Sequence, residues 1–63
     1  MKKYKVTFIM RYNGVWKEDY YDNAGAGFNY NDALDIKRDI EAHGIDGLPY
    51  ANLQIVEMQG GKQ

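Results

Sequence analysis

From Tyr4 to Tyr12 the chain reads YKVTFIMRY, with Tyr4, Val6, Phe8, Met10 and Tyr12 on one side and Lys5, Thr7, Ile9 and Arg11 on the other. A period of two is that of a strand with one buried face. Asn13-Gly14 follows at once, and both residue types accept the positive φ of a type I′ turn. The pattern therefore predicts a hairpin, with a first strand over about 3–12 and a return strand, VWKEDYYD, over 15–22.

Two registers of that hairpin remain open. A two-residue loop pairs Tyr12 with Val15, Phe8 with Asp19 and Lys5 with Asp22. A three-residue loop sets Met10 by Trp16, Phe8 by Glu18 and Val6 by Tyr20. A slip of one residue exchanges the faces of the second strand. The second alternative stacks aromatic on apolar along the core face and is favoured on that ground. In either register the second strand carries acids on both faces, which marks it as an edge strand.

After the loop NAGAGFN the period changes. YNDALDIKRDIEAH predicts a helix over about 30–43, with Ala33, Ile36 and Ile40 as its buried stripe, Leu34 and the Lys37 stem beside them. Asn29 is a good N-cap, Asp32 completes a variant capping box and Phe28 is placed to staple onto Ala33. Gly44 is expected to end the helix in a left-handed conformation. GIDGLPYA then reads as a turn-rich connection, residues 52–58 as a third strand carrying Leu53, Ile55 and Val56, and 59–63 as a frayed tail. The order β-β-α-β with a right-handed crossover sets the third strand beside the first. The expected fold is α+β: a three-stranded antiparallel sheet, order 2-1-3, with one helix packed on one face.

Composition adds limits. Sixty-three residues form one domain, and a chain of that size buries only about 60% of its unfolded surface. No cysteine is present, so neither disulfides nor a cysteine zinc site stabilise it, and the absence fits a cytoplasmic location. The N-terminal segment lacks the apolar run of a signal peptide or membrane span. The net charge of −1 hides an asymmetry: Lys2, Lys3, Lys5, Arg11 and Lys17 make residues 1–17 +5, and eight acids against Lys37 and Arg38 make residues 18–46 −6. Such a dipole either is neutralised internally, with a basic strand beside an acidic one, or steers a partner.

Specific chemistries fail on missing residues. Gly25 and Gly27 precede a helix N-terminus, but the dinucleotide fingerprint needs a third glycine and a parallel sheet, so loop dihedrals explain them better. A calcium loop starting at Asp22 needs donors at Ala24 and Ala26; one starting at Asp19 reaches Tyr30 where a bidentate Glu belongs. His43 is the single histidine, there is no serine, and Thr7 is the single threonine. No catalytic, cofactor-binding or metal-binding residue is assigned, and the chain reads as a non-enzyme.

What remains is surface. Nine aromatic residues are more than so small a core hides. One candidate partner-binding surface is acidic: Glu18, Asp19, Asp22, Asp32, Asp35 and Asp39. The other is the open sheet face, Lys5, Thr7, Ile9 and Arg11, joined by Trp16 and Tyr20 or by Lys17 and Tyr21 according to register. Aromatic and Arg side chains anchor protein interfaces, and the same mixture can stack on bases and hold phosphates.

In size, composition and plan, with its YNG hairpin, DNAGAGF loop and NDALDIKRDIEAHG helix, the chain resembles small accessory proteins of phages and mobile elements, in style the short anti-CRISPR proteins that inhibit type II (Cas9) systems. The resemblance spans the chain but rests on no shared binding motif, so it transfers no residue roles. It implies a stoichiometric inhibitor acting in the cytoplasm of a bacterial host, with Cas9 and its guide RNA as partner. A sheet-mediated homodimer and a small single-stranded nucleic-acid binder are the competing expectations.

Overall fold

The computed structural model describes residues 2–58, and the frayed tail expected at 59–63 lies outside them. Strand β1 (Tyr4–Tyr12) turns into β2 (Val15–Tyr21); α1 (Tyr30–His43) follows, and β3 (Tyr50–Glu57) ends the fold. The sheet is antiparallel with order β2-β1-β3, so the most apolar strand is central. The expected α+β plan is the observed one.

The hairpin takes the two-residue loop, and the register favoured from the sequence is corrected. Tyr12 faces Val15, Phe8 faces Asp19 and Val6 faces Tyr21. Asn13 at φ 50° and Gly14 at φ 81° supply the two positive φ values of a type I′ turn. Turn chemistry decided because burial could not: every residue of β2 is exposed, so neither face of it gains enough from the core to select a register.

Helix α1 lies over β1 and β3 and does not approach β2. Its stripe buries Ala33 and Ile40 and joins Val6, Phe8 and Met10 of β1 in one core, with Ile36, Leu53 and Ile55 packed around it. The N-cap of α1 is as the sequence indicates, Asn29 Oδ1 accepting from the Asp32 N–H at 2.8 Å, and Phe28 packs on the core that contains Ala33. The return bond from the Asn29 N–H to the Asp32 carboxylate, which would complete a capping box, is not made. At the other end the Gly44 N–H donates to Ile40 O at 2.7 Å. Gly44 has the positive φ foreseen, 76°, but ψ is −171°, so it extends rather than coils. That region is essentially open only to glycine.

The third strand starts two residues earlier than its alternation indicates. Thr7 pairs with Gln54 but Ile9 pairs with Ala51, which leaves Asn52 and Leu53 both opposite Phe8. Asn52 absorbs this bulge at φ 55°. The extra residue restores parity, so that Tyr50, Leu53 and Ile55 all reach the core despite their uneven spacing. Ile45, 5% exposed, is a core residue that the periodicity of α1 does not include. It is held by a second tight turn, in which Asp46 and Gly47 have φ 53° and 70° and the Leu48 N–H donates to Ile45 O at 2.9 Å.

Candidate functional site

Because α1 covers only two of the three strands, the helix-side face of β2 overhangs empty space. The result is a groove of about 640 Å³ between β2, the loop that leaves it and α1, lined by Tyr21, Phe28, Ile36, Ile40 and Ile45 with Asp22 and Asp39 among them. Its floor is apolar and its carboxylates come from two different elements. The Tyr21 ring lies 5.4 Å from that of Phe8, which fixes one wall.

The loop is shaped to deliver Asp22 there. Asn23, Ala24 and Gly25 have φ of 56°, 56° and 92°, a left-handed turn closed by the Ala26 N–H donating to Asn23 O at 3.1 Å. The Gly27 N–H donates to Asp22 O at 2.7 Å, and Asn23 Nδ2 donates to Gly27 O at 3.2 Å. Phe28 then pairs with Tyr4 through 2.8 and 2.9 Å bonds, in line with β2 but after a detour. Gly27 is buried at the foot of this detour; a Cβ there would stand 2.6 Å from Lys3 Cβ.

The six acids named from the sequence do not form one surface. Asp32, Asp35 and Asp39 share a helix face by their i, i+3, i+7 spacing, and Asp39 brings that face to the groove beside Asp22. Asp19 points to the helix side of β2, where its carboxylate accepts from the Tyr12 hydroxyl at 3.5 Å. Glu18, opposite Ile9, is on the other side of the sheet and is removed from this group. Partial burial first, then the charge and hydrogen bond of Asp19, hold the Tyr12 phenol above its ordinary value.

The internal neutralisation weighed from the sequence is not made by direct pairs. Among the described residues the ion pairs are Lys37–Glu41 at 2.9 Å and His43–Asp39 at 3.8 Å, both within α1. Across the hairpin, Arg11 faces Trp16, Lys17 faces Met10 and the acids Glu18 and Asp19 face Ile9 and Phe8. Charged residues therefore face apolar ones across the hairpin rather than opposite charges.

The alternative surface is assembled in full. The two-residue register sets Trp16 beside Arg11 and Tyr20 beside Thr7 on the face away from α1. Lys5 Nζ sits 5.1 Å from the Tyr20 ring centroid. A shallow cleft of about 480 Å³ runs across it, with Ile9, Glu18, Gln54 and Val56 among its walls. The sequence reading missed Gln54 and Val56 on this face, and Phe28 and Ile45 in the groove. For Ile45 a signal exists, since Ile-Asp-Gly-Leu carries the same turn signature as Asn13-Gly14.

No group of three or more His, Cys, Asp or Glu residues among those described could hold a metal ion. Among the described residues, no helix is long and apolar enough to cross a membrane. No family model matches the chain, and neither curated proteins nor solved structures give a match.

Proposed function

We propose that the chain is a non-enzymatic, stoichiometric binder that presents its acidic flank to a basic nucleic-acid channel, with guide-loaded Cas9 as the target it inhibits. This reading makes it a phage or mobile-element protein acting in the cytoplasm of a bacterial host. The observation that supports it is a flank whose carboxylates lack Lys or Arg partners: among the described residues no Lys or Arg side-chain nitrogen lies within 4.0 Å of a carboxylate oxygen of Asp22, Asp32, Asp35 or Asp39. Channels that hold nucleic acid are lined with Lys and Arg placed to meet phosphates. Carboxylates three and four residues apart on a helix rise by about 4.5 and 6 Å, a step of the same order as the charge spacing of a nucleic-acid strand. The apolar floor beside them adds contact area that a phosphate chain lacks.

The test is target cleavage by guide-loaded Cas9 orthologues at increasing molar ratios of this protein. Cleavage should be abolished near equimolar ratio for at least one orthologue. Unaltered cleavage across several orthologues would overturn the proposal. Binding of the chain itself to single-stranded DNA or RNA, weakening steeply with salt, would instead move the function to the Lys5, Arg11, Trp16 and Tyr20 face.

A further inference from the structure

The two edges of the sheet differ. On β3 the ladder is interrupted by the bulge at Asn52, a common protection of an edge. On β2 it is regular over all seven residues, without bulge or proline. The same seven residues hold four of the six large hydrophobic side chains exposed among the described residues: Val15, Trp16, Tyr20 and Tyr21, each between 42% and 55% accessible. An edge that is regular, uncovered and rich in exposed aromatic side chains is a template for another strand, and its charged residues Lys17, Glu18 and Asp19 restrict which strand it accepts.

The sequence of β2 indicates which strand. In a two-residue hairpin the turn-flanking pair Tyr12–Val15 is hydrogen-bonded, so alternation leaves the N–H and C=O groups of Trp16, Glu18 and Tyr20 pointing away from β1. A continuous antiparallel sheet made by a two-fold axis keeps each face on its own side, so a residue can oppose only residues of its own parity. Centring the axis on Lys17 or Asp19 opposes like charges there and pairs Glu18 with an aromatic residue. Centring it on Glu18 gives Lys17 opposite the partner's Asp19 twice, Trp16 opposite the partner's Tyr20 twice and Val15 opposite the partner's Tyr21 twice. The one unfavourable pair is Glu18 with the partner's Glu18 on the axis.

We propose that β2 is a self-recognition edge: two copies join antiparallel about Glu18 into a six-stranded sheet, β3-β1-β2 continued by the same order reversed. Both helices then lie on one face, and the uncovered β2 strands become its centre. The two grooves meet there as one trough walled by both helices. This inference does not rest on the inhibitory reading, because it concerns the protein alone.

Sedimentation equilibrium on the protein by itself tests it. The mass should rise from 7.3 kDa towards twice that with concentration. Emission of Trp16, the single tryptophan, should shift to shorter wavelength over the same range as its ring meets the partner's Tyr20. Lys17→Glu and Asp19→Lys should each weaken association by roughly tenfold, since two like-charge contacts replace two favourable ones. The double variant K17E/D19K restores both pairs by symmetry and should return to near the wild-type constant. Glu18→Gln, which relieves the contact on the axis, should tighten association. Lys17, Glu18 and Asp19 are all exposed, so these changes leave the fold intact. A mass fixed at 7.3 kDa up to about 1 mM, the range of weak association, overturns the proposal. So does a double variant as weak as the single ones.

Discussion

Gly25 and Gly27 both have positive φ, 92° and 80°, and a substitution by alanine distinguishes the reasons for them. At Gly25 no atom lies within 4 Å of an added Cβ, so Gly25→Ala costs only the backbone strain, about 1–2 kcal/mol. At Gly27 the added Cβ meets Lys3 Cβ at 2.6 Å and Met58 Sδ at 2.8 Å. The methionine can turn aside, but Lys3 Cβ is fixed to the start of β1, where Lys3 O accepts from the Met58 N–H at 2.8 Å. Overpacking of that kind costs a further 1–3 kcal/mol or so, for a total of about 2–5 kcal/mol. A chain of 63 residues has only about 3–9 kcal/mol of stability in all. Thermal unfolding followed by far-ultraviolet circular dichroism should therefore show Gly25→Ala lowering Tm by about 4–16 °C and Gly27→Ala by about 8–40 °C or to the point of an unfolded chain. Equal losses in the two variants would refute the close approach of the loop to the first strand.

Three further outcomes follow from single contacts. Asn29→Ala removes the cap on the Asp32 N–H and should cost about 1 kcal/mol in urea unfolding, whereas no change would place the helix start elsewhere. Asn52→Gly should be tolerated at φ 55°, while Asn52→Val, branched at Cβ, should lose about 1–2 kcal/mol in the same assay. The raised Tyr12 phenol favours its protonated form in the folded state, so stability is complete below the ordinary tyrosine value and falls as pH rises through the folded one. Asp19→Asn removes the charge, the larger of the two Asp19 contributions, and should lower the Tyr12 midpoint, read by NMR titration; an unmoved midpoint would exclude the Asp19 charge as a cause.

The parts of the fold legible in the sequence are those where one physical signal acts alone. The alternation of β1, the Asn13-Gly14 turn and the Asn29 cap each require a single local pattern, and the sheet order follows from chain connection. The register of β2 was not legible from burial because no residue of β2 is buried; aromatic stacking was the wrong arbiter and backbone φ the right one. The start of β3 was hidden because the bulge at Asn52 breaks the period on which strand recognition relies. Ile45 stands outside any periodic segment, and the Asp46-Gly47 turn signature beside it marks the turn but not its burial. The acids could be counted beforehand, but their grouping could not. Asp22 and Asp39 line one groove because α1 stops short of β2, and Glu18 leaves them because of the parity of the hairpin.

In the proposed function, carboxylates of the groove and its helix flank recognise a basic channel. The most direct measurement is the inhibition of guide-loaded Cas9 by the wild type and by D22N/D35N/D39N, whose three side chains are isosteric with the originals. Asp22 is half-buried and Asp35 and Asp39 are exposed, so the circular dichroism spectrum should be unchanged. The wild type should inhibit near equimolar ratio and the triple variant should need at least about tenfold more protein, the equivalent of roughly 1.4 kcal/mol of lost affinity. Equal inhibition by the two proteins, or none by the wild type, would contradict it.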